Sequence, residues 1–311
     1  MRLPGLGALA TAVPDAELRL AWNKADDSYR LSREGRAVSG RMEKLRRLHG
    51  GIDVDFGPHP VFSRLWPGAS EAAGPPLGVP LASYGAALGR AWRLIATVFP
   101  AYWRMIAAVT RRVVLLENVA VNSFASNAAF GAVFLNITEH GADEVFFIED
   151  LVHQCGHVLF NAATHDVGDY LAVAPDAVLP HDPGDGSESR TVYGALHGLF
   201  TEAVMNACFE RCVAAGLFAG RQAHELMGRY ALIYRRFNYD LIALRQPALY
   251  TTQGAQIYDH CRRVFEEIYR GRGDALLGHD YSGQPYSFNY RIYRANNPPA
   301  RRQPARRAAI A

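Results

Sequence analysis

Apolar residues recur at intervals of three and four positions over several long stretches of the chain, which is the spacing of amphipathic α-helices. We expect helices over residues 82–110, 142–162, 190–215, 219–243 and 253–271. Pro100 lies within the first stretch, so that helix is expected to end or kink near Val98.

Two short apolar runs, VVLLENVAV and GAVFLNI, lie between the first and second predicted helices. Their length and their content of β-branched residues predict strands. Because the runs adjoin the helix over residues 142–162, we expect a small β-sheet packed beside that helix. The predicted fold class is therefore α+β and mainly helical.

The helical pattern divides the chain into three regions. Residues 1–81 are expected to hold an N-terminal helical cap and a connection rich in proline and glycine. Residues 82–288 contain the predicted strands and main helices and form the expected core. Residues 289–311 include PPARRQPARRAAIA, whose low apolar content predicts a basic, disordered tail.

Composition and charge narrow the range of partners and compartments. The net charge is only +3, and six arginines follow the last acidic residue, Asp280, so the basic character belongs to the tail and nucleic acid is not an expected partner. Four cysteines without a CxxC pair predict buried free thiols in a reducing cytoplasm. The most apolar long stretch carries Arg90, Arg93 and Arg104, so no membrane partner is expected.

The segment His153-Gln154-Cys155-Gly156-His157 places two imidazoles four residues apart within a predicted helix. Side chains at this spacing lie on the same helix face, so both rings can reach one metal ion. The neighbouring residues are mostly apolar, and a buried imidazole needs a hydrogen bond or a metal. His153 and His157 are therefore predicted to be metal ligands.

A third ligand must come from another segment. His197 is the first choice, because it lies among apolar residues on the next long predicted helix. Glu202 is the competitor, although its position five residues later turns it to another side of that helix. Four polar residues of the intervening loop are further alternatives: His165, Asp166, His181 and Asp182.

Gln154 occupies the position at which H-E-x-x-H metalloenzymes have a glutamate. An amide cannot take a proton from metal-bound water near neutral pH, so hydrolysis at zinc is disfavoured and oxidation at Fe(II) gains weight. We expect Gln154 to line the catalytic cavity. An oxygenase that uses 2-oxoglutarate also needs a cation for the far carboxylate, and Arg190, seven residues before His197, is the predicted anchor.

The segment NSFASN, residues 122–127, separates the two predicted strands. Its small polar residues are expected to lie along the cleft, where backbone groups can pair with an extended peptide. The predicted substrate-contacting residues are Asn122, Ser123, Ser126 and Asn127.

Residues 84–212 resemble the HExxH-motif proteins of ribosomal peptide natural-product clusters, which are described as 2-oxoglutarate-dependent peptide β-hydroxylases. The resemblance is carried by VTRRVVLL, NSFASNAAFGAVFLN, LVHQCGHVLFN and SRTVYGALHG. It implies iron, 2-oxoglutarate as co-substrate and a precursor peptide as substrate. It also implies that His153 and His157 are the motif histidines and that His197 is the histidine of an LHG-like element. Gln154 departs from the motif.

The predicted function is thus that of a non-haem Fe(II)/2-oxoglutarate-dependent oxygenase, which hydroxylates a C–H bond of a peptide or amino-acid-like substrate. One alternative is a zincin-type zinc metallopeptidase, with Glu149 or Glu202 as its base. The other is a non-catalytic relative that binds a peptide partner.

Overall fold

A computed structural model describes residues 19–26, 28–33, 36–41, 46–56, 61, 65, 78–118, 121–138, 142–179 and 190–299. These residues contain seven α-helices: α1 (Gly78–Val98), α2 (Pro100–Val109), α3 (Glu144–Ala163), α4 (Val192–Ala214), α5 (Gly220–Ala243), α6 (Thr252–Leu277) and α7 (Tyr290–Asn296). The predicted fold class, α+β and mainly helical, is confirmed. Among the described residues, no helix has both the length and the apolar composition needed to cross a membrane.

The described strands form two sheets. Strands β1 (Arg19–Asn23), β2 (Ser28–Arg33) and β3 (Arg36–Arg41) form an antiparallel sheet in that order. The second sheet is mixed and has the order β4-β5-β6-β8-β7, with parallel pairing of β5 with β6 and of β6 with β8. Its strands are β4 (Arg46–Arg47), β5 (Asp53–Phe56), β6 (Arg112–Leu116), β7 (Phe124–Ala125) and β8 (Ala132–Asn136).

Strands β6 and β8 are covered on both faces, which explains their continuous apolar sequence. Val113 and Leu115 of β6 belong to the main core, together with residues of α1 and α3. Val114 and Leu116 belong instead to a small core on the opposite face of the sheet. The small sheet beside the histidine-bearing helix was predicted from the sequence, and α3 contacts both β7 and β8.

The break between α1 and α2 lies where the sequence predicted it. Helix α1 ends at Val98, and Pro100 is the first residue of α2, where its missing N–H costs no hydrogen bond. Leu88, Trp92 and Ile95 form one buried stripe of α1 against the core. The four cysteines are free and buried, as expected.

The prediction of an N-terminal helical cap is wrong over the described residues between 19 and 41, which form β1, β2 and β3. Polar and apolar residues alternate in SYRLS of β2, and this period of two is typical of strands. The turn after β1 is built by side chains, because Asn23 and Asp26 accept hydrogen bonds from the backbone N–H groups of Ala25 and Ser28. Residues 1–18 and 42–45 of the expected cap lie outside the described residues, as does most of the connection over residues 57–77.

The prediction of a disordered tail is wrong over residues 289–297. Asn289 caps α7, since its side chain accepts hydrogen bonds from the N–H groups of Arg291 and Ile292. Tyr293 is fully buried, and its ring lies against those of Tyr281 and Phe288. Burial of aromatic side chains therefore orders residues 289–297, although their arginines favour a solvated segment. Residues 300–311 lie outside the described part of the chain.

Candidate metal centre and cavity

An open cavity of about 750 Å³ lies where α3, α4 and α5 meet the end of the mixed sheet. His153, Gln154 and His157 of α3 line it, and Thr201 and Glu202 line it from α4. Arginines of α5 and the segment Tyr286–Phe288 line the other side. Helix α3 is mostly buried, yet it presents polar side chains to this cavity. A concave site with a few converging polar groups is typical of a binding site.

His157 contacts both of the other predicted histidine ligands. His153 Nε2 lies 3.0 Å from His157 Nε2, and His157 Nδ1 lies 2.7 Å from His197 Nδ1. The ring centroids of His157 and His197 are 4.6 Å apart, with an angle of 23° between the ring planes. The helical spacing within α3 and the packing of α4 against α3 thus assemble a cluster whose members are up to 44 residues apart in sequence.

Burial keeps these imidazoles neutral at physiological pH. Burial, the charge of Arg236 and the neighbouring His197 lower the pKa of His153 to about 4. Burial and His157 lower the pKa of His197 to about 3, and the pKa of His157 is also well below its usual value because of burial and His153. A neutral imidazole has the lone pair that a metal requires, so no proton has to leave these rings before an ion binds.

The donor atoms of the cluster are of a kind that binds metal ions, and the distance between one pair of its ring nitrogens also suits a shared ion. Two nitrogens about 2.1 Å from one ion and at right angles to each other are about 3.0 Å apart, which matches His153 Nε2 and His157 Nε2. His197, however, contacts the opposite nitrogen of His157. Among the described residues, no three donors of the histidine, cysteine or carboxylate type surround one point. One ion shared by all three histidines therefore requires His157 or His197 to turn its ring.

Buried polar atoms without a hydrogen-bond partner concentrate around this cluster. Within the described part of the chain they include His197 Nε2, Gln154 Oε1 and Glu202 Oε2. Such atoms are uncommon in folded proteins because each loses its hydration without compensation. Their number at one place suits a cluster that takes an ion or another ligand.

Gln154 lines the cavity, as expected, and lies almost fully buried beside His153. The residue is 2% exposed, and its Nε2 lies 3.3 Å from His153 Nδ1. If the amide turns over, the unpartnered Oε1 comes to accept a hydrogen bond from the Nδ1–H group of His153. That tautomer leaves the lone pair on Nε2, the atom that faces His157.

The alternative third ligands are placed less favourably. Glu202 lines the cavity, but burial, followed by the charge of Asp240, raises the pKa of its carboxyl well above the usual value, which disfavours the ionised form that a metal ligand needs. His165 and Asp166 are exposed in the loop after α3, and Asp166 caps a turn through the N–H of Gly168. His181 and Asp182 lie outside the described residues.

Glu149 does not orient a histidine or serve as a free base, because Arg229 pairs with it at 2.8 Å. Its neighbour Asp150 is the unexpected residue. Asp150 lines the cavity, is 9% exposed and accepts a hydrogen bond from the Ser123 hydroxyl. Burial raises the pKa of this carboxyl to about 7, despite the hydrogen bond from Ser123. Asp150 can therefore take up or release a proton at neutral pH.

Arg190 lines the cavity, as predicted, but just before α4, which begins at Val192. Its guanidinium donates two hydrogen bonds to Asp240, at 2.7 and 2.9 Å. Gly198 makes room for this pair, since a Cβ at that position would lie 2.7 Å from Arg190 Nη2. A ligand carboxylate has to compete with Asp240 for Arg190.

The predicted substrate segment divides into two halves. Asn122 and Ser123 line the cavity. Ser126 and Asn127 do not, because Ser126 caps the short 3₁₀ helix Asn127–Ala129 and Asn127 is exposed. Asn122 also accepts a hydrogen bond of 2.9 Å from Ser287 Oγ, which ties this segment to Tyr286–Phe288 across the cavity.

Sequence reasoning missed three parts of the site. Asp150 follows Glu149 and has a weak signal, because it precedes His153 and His157 by three and seven residues on the same helix face. Arg236 of α5 and the segment Tyr286–Phe288 carry no motif, and only tertiary packing brings them to the cavity.

No protein-family model matches this chain, and no curated protein is similar to it. The resemblance to peptide β-hydroxylases therefore stays a prediction.

Proposed function

We propose that this protein is a non-haem Fe(II)/2-oxoglutarate-dependent oxygenase, which hydroxylates a C–H bond of a peptide or amino-acid-like substrate. The observation that carries the proposal is the cluster of three neutral imidazoles, two of which, His153 and His157, line a large cavity, with buried nitrogen and oxygen atoms that have no partner among the described residues.

His153, His157 and His197 would hold the metal. Bound Fe(II), with 2-oxoglutarate and O₂, supplies an oxidant that inserts one oxygen atom into the substrate while 2-oxoglutarate becomes succinate and CO₂. Imidazole ligands with open coordination positions suit this class of iron site. This chemistry does not need a carboxylate at position 154, so Gln154 fits it better than it fits metal-assisted hydrolysis.

The chain's own side chains have distinct roles in this proposal. Gln154 holds the orientation of the His153 ring through its amide. Asp150 holds a proton at its carboxyl beside Ser123, on the face of α3 that also carries the histidines. Asn122 and the segment Tyr286–Phe288 form one wall of the space in which a peptide would lie.

The proposal is tested by succinate formation. The protein is purified without oxygen and supplied with Fe(II) and 2-oxoglutarate, O₂ is admitted, and succinate is measured with and without candidate peptides. We expect succinate from the native protein and from His165→Ala, which removes an exposed histidine outside the cavity. His153→Ala should form none. Equal succinate from His153→Ala and the native protein would refute the assignment.

Asp150 favours a second candidate, a zinc-dependent peptidase. A carboxyl whose pKa is about 7 and that lines the histidine cavity has the character of a general base. In that case Asp150 would take the role that Glu149 and Glu202 cannot fill. Peptide cleavage by the zinc-loaded protein, lost in Asp150→Asn and unaccompanied by succinate formation in the iron-loaded protein, would favour this candidate.

A further inference from the structure

Four arginines line the cavity, and two of them already have carboxylate partners. Arg229 is buried and pairs with Glu149 and Glu225 at 2.8 and 2.9 Å. Arg190 pairs with Asp240 at 2.7 Å. The other two are the adjacent residues Arg235 and Arg236 of α5.

Arg236 is held in place without a carboxylate. It is half-buried, its Nη2 donates a hydrogen bond to the backbone oxygen of Tyr286, and its guanidinium lies 4.8 Å from the centre of the Tyr286 ring. Among the described residues, no aspartate or glutamate forms an ion pair with it. Stacking and one hydrogen bond fix the guanidinium plane while most of its N–H donors stay available.

Arg235 is placed differently, although it is the next residue. It is exposed, and its guanidinium lies 5.4 Å from the centre of the Tyr281 ring. Its charge therefore faces solvent more than it faces the cavity interior. Water and salt in the solvent screen this charge.

Among the described residues, no acid of the cavity forms an ion pair with Arg236, although its charge acts on Glu202 and lowers the pKa of that carboxyl. Burial raises the pKa of Glu202 well above its usual value, and burial raises that of Asp150 to about 7. Glu149 and Asp240 are already paired with Arg229 and Arg190. Arg236 lines the same cavity as His153 and His157. A group bound to Arg236 is thus near the metal cluster.

We infer that Arg236 is the centre of a carboxylate-binding subsite in this cavity, and that the subsite takes either a small organic acid or the terminal carboxylate of a peptide. A planar guanidinium held by Tyr286 can donate two parallel hydrogen bonds to a carboxylate. This assignment replaces Arg190 as the anchor, because Arg190 is committed to Asp240. The subsite itself needs no metal, and only the choice of 2-oxoglutarate as the acid rests on the proposed function.

Calorimetric titration tests the subsite directly. The full-length protein is titrated in EDTA, and again with Mn(II), using 2-oxoglutarate, an N-acetylated tetrapeptide acid and the same tetrapeptide as its C-terminal amide. Arg236→Gln should weaken binding of the acid by about ten- to a hundredfold, since two charge-assisted hydrogen bonds are lost. Arg235→Gln removes the same charge from the adjacent position and should change the affinity less than about threefold.

The two possible sources of the carboxylate give different results. Binding of 2-oxoglutarate that depends on Arg236 assigns the subsite to a small acid. Binding of the tetrapeptide acid but not of its amide, with the same dependence, assigns it to a peptide terminus. The inference is overturned if neither acid binds the native protein, or if Arg236→Gln and Arg235→Gln weaken binding equally.

Arg236→Lys covers the case in which Arg236→Gln fails to fold, which circular dichroism would reveal. Lysine keeps the charge but lacks the planar fork, so we expect an affinity clearly below the native one at an unchanged melting temperature. A native affinity in Arg236→Lys would overturn the assignment. Binding that depends on Arg236 in a protein that takes up no iron would leave the subsite standing and remove the proposed function. Succinate formation that is unaffected in Arg236→Gln would support the proposed function and remove the subsite.

Discussion

The carboxyl group of Asp150 is buried at the cavity wall, where it accepts a hydrogen bond from Ser123. Burial raises its pKa to about 7 from the ordinary value of 3.8. Between these pH values the native protein keeps a proton that the unfolded chain releases, so the free energy of unfolding falls as pH rises from about 4 to about 7. Ionisation of Asp150 above this range is therefore costly in the folded state.

Asp150→Asn should remove this pH dependence. We expect the difference in unfolding free energy between pH 4 and pH 7 to become smaller than in the native protein, by up to about 4 kcal/mol. Urea denaturation at both pH values measures it. Asp274→Asn, on an exposed position of α6, is the matched control. An identical pH dependence in Asp150→Asn and the native protein would contradict the raised pKa.

Gln154 is the residue that separates this chain from the H-E-x-x-H pattern, and its amide touches His153 Nδ1. Gln154→Leu should weaken metal binding by about tenfold, because residues that orient metal-ligating histidines typically contribute this much. Gln154→Glu should retain most of the affinity, since a carboxylate also accepts from Nδ1–H. Zinc affinity, measured by competition with a chromophoric chelator, distinguishes the variants. Equal affinities of Gln154→Leu and the native protein would show that the amide has no such role.

At the level of single residues, helical spacing was enough to predict the histidine cluster. His153 and His157 share a face of α3 because they are four residues apart, and His197 was found because it lies among apolar residues on the next helix. Arg236 was missed, because its relation to the cavity depends on where α5 packs. Ser126 and Asn127 were assigned to the substrate cleft from composition alone, which carries no information about direction.

The helices of the core could be predicted from their apolar period, and their bounds differ from the predicted ones by a few residues at most sites. The strands β1, β2 and β3 could not, because short alternating runs between charged residues are also compatible with an amphipathic helix. Helix α7 was missed because its arginines outweighed the signal of Tyr290, Ile292 and Tyr293.

Helix α7 docks on α5, and a glycine permits one of the close contacts between them. A Cβ at Gly228 would lie 2.6 Å from the Tyr293 ring. Gly228→Ala should therefore destabilise the protein by about 1–3 kcal/mol. Gly271→Ala in α6 places its Cβ in open space and should stabilise the protein by up to about 1 kcal/mol. Urea denaturation compares the two. A stabilising effect of Gly228→Ala would contradict the observed docking.

The Arg190–Asp240 pair joins the start of α4 to α5. Asp240 is 2% exposed at its side chain, so Arg190→Gln should destabilise the protein by about 1–3 kcal/mol through loss of its bidentate partner. The double variant Arg190→Gln/Asp240→Asn should recover most of this loss in urea denaturation, because the buried charge is gone. If the double variant is less stable than Arg190→Gln, the loss in Arg190→Gln does not come from the unpaired charge of Asp240.

Across the whole molecule, the cavity is assembled from segments that are distant in sequence: the end of the mixed sheet, α3, α4, α5 and the segment before α7. The sequence located the histidine cluster within this assembly, because two of its members share a helix. It did not locate the cavity's positive side, which depends on packing between α5 and Tyr286–Phe288. The choice of ligand therefore depends more on how α5 and Tyr286–Phe288 pack around the cavity than on the histidine motif of α3.

The central claim is that His153, His157 and His197 hold one metal ion together. Anaerobic titration of the metal-free protein with Fe(II), followed by measurement of bound iron per chain, tests it most directly. We predict one tightly bound iron in the native protein and in His165→Ala, and none in His197→Ala. A native protein that binds no iron, or a His197→Ala variant that binds it as tightly as the native protein, would contradict the claim.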